Sequence, residues 1–286
     1  MMDKELDNFL GLHFLVRPKE CCLSAKSQEL IKEIKPAGIL LGSEEFDNHL
    51  PYPEWLNKYS TLITTFQELS QREKIIVAID HEGGRVHRLP KPITHFPYPI
   101  DWADKAKETA EIFSKELLSC GINLLLGPCL DIWSNPNNKV IGPRAFGKDS
   151  ASVIKAAKDF ISSFNTEKIA LCAKHFFGHG STVEDSHFTL PEVHLKEEEI
   201  EECLLPFKEA LKLGIPCLMT AHIVVNPLDT LPVTLSEKIL TGVLREKLGF
   251  NGVILSDDLD MLAIRESFSD ILALELLLKS TVDIFC

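Results

Sequence analysis

Positive charge is what this chain has too little of. Its 286 residues carry 30 lysines and arginines against 42 aspartates and glutamates, a formal net charge of −12. A nucleic-acid binder carries a basic stripe; none is visible, so no nucleic-acid partner is expected. Long hydrophobic runs are also missing. A membrane-spanning helix needs at least about 18 apolar residues in a row, and the absence of such a run argues against a membrane partner. The chain opens Met-Met-Asp-Lys-Glu-Leu-Asp, with acidic residues where a signal peptide needs basic and then apolar ones. No Cys-x-x-Cys occurs among the eight cysteines, which argues against structural zinc. Several of them sit in apolar runs, where cysteine behaves as a small hydrophobe, and a reducing cytoplasm fits this usage. No Gly-x-Gly-x-x-Gly follows an early strand candidate, which weakens a doubly wound nucleotide-binding fold. No internal repeat or low-complexity linker divides the chain, so residues 1–286 are expected to form one domain.

Short apolar runs recur throughout the chain, at 12–16, 38–41, 75–79, 122–126, 170–173, 217–221, 253–255 and 283–285. Each is nearly continuous in apolar character, as parallel strands buried on both faces are. Amphipathic stretches with helical spacing lie between them, at 103–120, 150–165, 196–213, 236–247 and 261–280. The acidic run 196–202 reads as a solvated first turn of one such helix. Strands alternating with helices predict an α/β fold, a (β/α)8 barrel of the TIM type. The last strand candidate ends at Cys286, so the barrel is expected to lack its final C-terminal helix.

In such barrels the working groups follow the strands, on the C-terminal rim. Polar clusters sit there after five consecutive strand candidates: 80–88, then Asp131 with 140–147, then 174–187, 220–222 and 256–260. Asp257 could be a nucleophile, a metal ligand or a helix cap. Asp80 and Arg88 could form a plain ion pair, or could hold sugar hydroxyls and a polar group. Lys174 and His175 could be buried structural groups or ligand contacts. The densest stretch, 174–187, holds one lysine, three histidines and two carboxylates. Within it, Asp185 could orient and raise the basicity of His187, leaving one imidazole nitrogen to transfer a proton. Gly178 and Gly180 permit the backbone conformations of a tightly folded or closing loop. His179, between them, reads as a packing or hydrogen-bonding residue of that loop.

Five segments, in order, resemble the bacterial single-domain β-N-acetylglucosaminidases of glycoside hydrolase family 3. They are Ile-Asp-His-Glu-Gly-Gly-Arg-Val at 79–86, Val-Ile-Gly-Pro-Arg-Ala-Phe-Gly at 140–147, the stretch 174–187 ending Asp-Ser-His, Met-Thr-Ala-His at 219–222, and Gly-Val-Ile-Leu-Ser-Asp-Asp-Leu at 252–259. The resemblance implies a retaining double displacement without metal or cofactor. It makes Asp257 the nucleophile and His187 the acid/base, supported by Asp185. It assigns Asp80, Arg88, Arg144, Lys174 and His175 to the sugar ring, with His222 near the pocket. The implied substrate is the β-linked N-acetylglucosamine of peptidoglycan-derived muropeptides, and the implied role is cell-wall recycling by a cytoplasmic monomer. Alternatives within the family are a phosphorylase or a β-glucosidase. From other classes, an inactive sugar-binding barrel or a metal-dependent amidohydrolase would need to be set aside by experiment. His81 stands where the family usually has glutamine, and Phe177 where it usually has proline.

Overall fold

The structure, a computed structural model, describes residues 8–186 and 188–286. Nine strands are assigned among them: β1 (Leu15–Val16), β2 (Gly38–Leu41), β3 (Ile76–Ile79), β4 (Leu124–Leu125), β5 (Ala170–Phe176), β6 (Glu192–His194), β7 (Cys217–Thr220), β8 (Val224–Asn226) and β9 (Val253–Leu255). Seven of these form one all-parallel sheet in the order β1-β2-β3-β4-β5-β7-β9. Helices α1 (Ala25–Ile34), α2 (Tyr52–Ser70), α3 (Ala106–Ser119), α4 (Ser150–Ser163) and α5 (Glu197–Lys212) lie between strands, and α6 (Asp270–Lys279) follows β9. A π-type helix, Lys238–Lys247, occupies the connection between β8 and β9.

The predicted eight-strand closed barrel is corrected in one respect. The sheet is curled, but its ladder holds seven strands. Segment 283–286 reaches both edges through single-residue bridges, Phe285 to Phe14 and Ile284 to Leu255. Leu15 N–H donates to Phe285 O at 2.9 Å and Ser256 N–H to Ile284 O at 2.9 Å. A fuller ladder has no edge to grow on, because β1 is two residues long. The residues before it, Gly11–His13, are wound into a 3-10 turn.

Alternation along the strands sorts the apolar side chains into two cores. Ile39, Leu41, Val77, Ile79, Leu125, Leu171, Ala173, Leu218 and Ile254 pack outward against the helices. Ala78, Leu124, Leu126, Cys172, Cys217, Met219 and Leu255 pack against one another inside the curl, with Leu15 and Ile284. Burial on both faces is why these runs read as continuously apolar. Cys172 and Cys217 are buried in the inner core, as small hydrophobes are. Gly38 has a steric reason: a Cβ there would collide with the backbone of Ile76 on the neighbouring strand.

Three local expectations differ from what is seen. The strand expected over 170–173 runs on to Phe176, so Lys174 and His175 belong to the strand end rather than to the loop. The helical stretch 261–280 is broken into Leu262–Arg265 and α6, whose start is capped by Ser269 accepting from Leu272 N–H at 3.3 Å. A small parallel pair, β6 with β8, lies apart from the main sheet. The acidic run behaves as expected: Glu197, Glu198 and Glu199 occupy the first turn of α5, where carboxylates favour the helix dipole. No helix among the described residues is long and apolar enough to cross a membrane.

Candidate active site

The inner-face alternation leads straight to the site. Residues 76 and 78, 170 and 172, and 253 and 255 face the interior. Two residues further on, the same parity reaches Asp80, Lys174 and Asp257. All three line a cleft of about 660 Å³ at the C-terminal end of the sheet. Arg85, Arg88, Arg144, His175, Asp185, Phe188, Met219, Asp258 and Met261 also line it. The register of β5 shifts between Ala173 and Phe176, and that break in alternation lets Lys174 and His175 both border the cleft.

A network of charge fills the floor. Lys174 is buried, and its Nζ meets Asp80 Oδ1 in a short contact and Glu82 Oε1 at 2.6 Å. Arg144 is buried too and grips Glu82 through two bonds, Nε to Oε2 at 2.8 Å and Nη2 to Oε1 at 2.7 Å. Arg88 Nη2 reaches Asp80 Oδ2 at 3.3 Å. Burial alone would raise the Glu82 carboxyl, but Arg144 and Lys174 outweigh it and hold the group well below its ordinary value. Burial disfavours the Lys174 ammonium as well, yet Asp80 and Glu82 raise its pKa. Asp80 and Arg88 are thus paired and cleft-facing together, so the ion pair and the ligand-contact readings coincide.

Asp131 organises the next layer. Its carboxylate is fully buried and accepts from His175 Nδ1 at 2.6 Å, His175 N–H at 3.2 Å, the His179 N–H, and the Cys129 thiol at 3.2 Å. Burial raises its pKa, but the charge and hydrogen bond of His175 prevail and lower it to about 2. Cys129, Asp131 and His175 are also the closest approach to a metal-ligating set among the described residues, with ligand atoms within 4.8 Å. The 2.6 Å between His175 Nδ1 and Asp131 Oδ2 is a hydrogen-bond distance. Two ligands of tetrahedral zinc, each bonded at about 2.0–2.1 Å, stand roughly 3.3 Å apart. The cluster is built as a proton-sharing pair.

Asp257 is half-buried in the cleft and its Oδ1 accepts from Asp258 N–H at 2.8 Å. Burial raises its pKa, while His175, His222, that N–H and Lys174 together bring it below the ordinary carboxylate value. Neither Asp257 nor Asp258 caps the following helix, whose N-cap is Met261 without a side-chain bond. Asp258 instead turns its Oδ1 to Asp260 N–H at 2.9 Å. His222 is off the inward parity of β7 and is fully buried. It stands behind the Asp257 turn, where its Nε2–H donates to Asp258 O at 3.0 Å and its Nδ1 meets Thr234 Oγ1 at 2.8 Å. A sugar contact is closed to it there, and what it can do is hold the backbone beside Asp257.

Asp185 reaches the same cleft from the long loop after β5, and it has an interaction partner of its own. His187, expected as the acid/base, lies outside the described residues. Two residues of weight, Glu82 and Asp131, were placed on the rim by sequence reasoning but given no role there. Glu82 had a signal: it shares strand parity with Asp80 inside an otherwise recognised motif. Asp131 follows a two-residue strand, and nothing local announces that four donors converge on it.

Residues 6–286 match the family model described as glycosyl hydrolase family 3 N-terminal domain. A β-hexosaminidase of Tolumonas auensis is 34% identical over 251 residues, covering 84% of this chain and 72% of that protein. β-Hexosaminidase A of Pseudoalteromonas piscicida is 34% identical over 272 residues, covering 87% of this chain and 45% of that protein. Among solved structures, a glycoside hydrolase family 3 β-N-acetylglucosaminidase from Paenibacillus sp. str. FPU-7 superposes with a TM-score of 0.89 at 32% identity, over 98% of this chain and 54% of that one. NagZ from Neisseria gonorrhoeae, in complex with N-trifluoroacetyl-D-glucosamine, superposes with a TM-score of 0.81 at 29% identity, over 96% of this chain and 80% of that one. The chain thus spans about half the length of the first of these structures. With nearly its whole length matched to one model, the chain belongs to glycosyl hydrolase family 3, a family of glycoside hydrolases.

Proposed function

We propose that this chain is the catalytic barrel of a retaining exo-β-N-acetylglucosaminidase that removes terminal N-acetylglucosamine from muropeptides, as a cytoplasmic monomer in cell-wall recycling. Segment 283–286 is read as the eighth stave of that barrel. The observation that carries the reading is the presence of Asp257 and Asp185 in one cleft with the paired charges Asp80, Arg88, Arg144 and Lys174. Charge-assisted hydrogen bonds from such pairs suit the vicinal hydroxyls of a sugar ring. An ionised Asp257 suits an oxocarbenium-like transition state.

In the proposed sequence, Asp257 attacks the anomeric carbon. The bond to the aglycone oxygen breaks, and that oxygen takes its electron pair and a proton from the His187 imidazolium. A glycosyl ester of Asp257 results. Water then loses a proton to His187 and attacks the same carbon, releasing the free sugar and Asp257. Asp185 orients His187. A histidine here would replace the second carboxylate of most retaining glycosidases, and its reference pKa of about 6.5 suits both donation and acceptance near neutral pH. Phe188, 66% exposed at the cleft, offers an aromatic face on which a sugar ring or its substituent could stack.

The test is release of 4-nitrophenol from its N-acetyl-β-glucosaminide beside the matching β-glucoside, with and without phosphate. Hydrolysis of the first alone, giving the free sugar at a phosphate-independent rate, is expected. A glucoside preference or a sugar phosphate product would overturn the assignment. Asp257→Ala is expected to abolish turnover while the protein still binds N-acetylglucosamine in titration calorimetry.

A further inference from the structure

His179 lies in the middle of the long rim loop, yet it is among the most buried polar residues of the molecule, 1% exposed. Every polar group it owns is engaged. Its N–H donates to Asp131 Oδ1 in a short bond. Its carbonyl accepts from Asn138 Nδ2 at 2.8 Å and from the Thr182 hydroxyl at 3.0 Å. Its Nδ1 meets Thr182 Oγ1 at 2.9 Å, and its Nε2 meets Ser186 Oγ at 3.0 Å. Burial, reinforced by the charge of His175, lowers its pKa to about 4, so the ring is neutral at physiological pH.

The tautomer follows from the partners. Thr182 spends its single hydroxyl proton on the His179 carbonyl, and its oxygen also accepts from Asn138 Nδ2 at 3.1 Å. With the Thr182 proton so placed, we assign the His179 proton to Nδ1, donating to Thr182. Nε2 is left as an acceptor, and the Ser186 hydroxyl donates to it. Ser186 is itself buried, and its carbonyl receives Ala263 N–H at 3.4 Å, from the short helix that follows Asp257 and Asp258. Gly180 shows how closely this part of the loop is pressed down, since a Cβ there would collide with the backbone of Ile132, next to Asp131.

We propose that His179 is a positioning residue for the acid/base step, holding Ser186 and thereby Asp185 beside it. The inference rests on the proposed roles of Asp185 and His187. It gives the middle histidine of the loop a task distinct from chemistry: a link from the Asp131–His175 pair to the segment that carries Asp185.

Ser186→Ala removes one hydroxyl and tests the link from its far end. His179→Asn keeps an amide N–H for Thr182 but has nothing to accept from Ser186, whereas His179→Gln can place an acceptor oxygen near the Nε2 position. Each variant is assayed on the 2,4-dinitrophenyl and the methyl N-acetyl-β-glucosaminide, with thermal unfolding measured alongside. Proton donation matters for the poor leaving group only. Ser186→Ala and His179→Asn are therefore expected to lose about tenfold more activity on the methyl glycoside than on the dinitrophenyl one, a partial loss of the roughly 10²–10⁴-fold acid/base contribution. The double variant should lose no more than either single one, and His179→Gln should recover part of the difference.

Equal losses on the two substrates, or additive losses in the double variant, would mean that His179 only stabilises the loop and would overturn the proposal. His187→Ala separates the two levels of the argument. If it shows the leaving-group signature while the other variants do not, the positioning role alone falls. If it lacks that signature, the acid/base reading falls and takes the positioning role with it.

Discussion

Glu82 carries more of the site than its motif suggests, because one carboxylate holds both Arg144 and Lys174 in place. Replacing it by glutamine keeps the shape and removes the charge. Two buried cations would then share only Asp80, itself partly exposed to solvent. Breaking one side of a buried ion network is strongly destabilising, and Glu82→Gln is expected to lose about 3 kcal/mol in urea unfolding and to raise KM for the N-acetylglucosaminide. An unchanged urea midpoint would show that the cations find other partners. At this scale Asp80, Lys174 and Asp257 were legible from the sequence, because each follows an apolar strand run within two residues. His222 was not. It falls one residue out of parity, and only packing could show that it backs the Asp257 turn instead of facing the cleft. His179 was legible as a hydrogen-bonding loop residue, but its partners Ser186 and Asp131 lie in separate layers of the fold.

Segment 283–286 is the least supported element of the sheet, and Arg245 is what fastens it. From the π-type helix, Arg245 Nη1 donates to Phe250 O at 3.1 Å and Gly252 O at 2.5 Å, and Nη2 pairs with Asp283 Oδ2 at 2.7 Å. The same carboxylate oxygen receives Ile254 N–H at 2.8 Å. Helix and bridging segment are thereby tied to the strand that leads to Asp257. Arg245→Met preserves the apolar stem and removes these bonds. It is expected to lower stability by about 2 kcal/mol, at about 1 kcal/mol for each of the better bonds. Amides of residues 254–256 should also exchange hydrogen faster. Exchange unchanged at those residues would show that the bridges hold without the arginine. The strand runs were readable because two-sided burial makes them continuously apolar. The π-type winding and the break before α6 were not, since both patterns keep a helical spacing of apolar residues.

His81 and His179 are buried in the neutral form, and this couples the stability of the whole molecule to pH. Burial, with the charges of His87 and Arg88, takes His81 down to about 3, and burial with His175 takes His179 to about 4. Unfolded, both return to about 6.5. Below that value the unfolded chain binds protons that the folded chain refuses. Stability is therefore fully present above about pH 6.5 and is lost as pH falls toward 4. These two alone give a slope of about 2.5 kcal/mol per pH unit near pH 5, and His87, lowered to about 4 by burial and the charge of His95, and His222, lowered by burial, act in the same direction. Below about pH 4 the lowered carboxyl of Asp131 adds to the loss, because its contribution disappears as pH drops toward 2. Urea unfolding at pH 7, 6 and 5 reads the slope. A stability independent of pH over that range would contradict the neutral burial of these rings. His81→Gln should reduce the slope by about 1.3 kcal/mol per pH unit, because one of the refused protons is gone.

The sequence by itself determined the alternation of strands and helices, the parallel character of the sheet and the rim positions of the charged residues, all of which are periodic and local. It also identified the family, because five short motifs in order are more specific than any composition. Only the tertiary structure decided which charges meet. The convergence of four donors on Asp131 and the sharing of Glu82 by Arg144 and Lys174 join residues from separate strand ends and loops. Such contacts depend on the curl of the sheet, which brings distant strand ends around one cleft, and no sequence spacing encodes that distance.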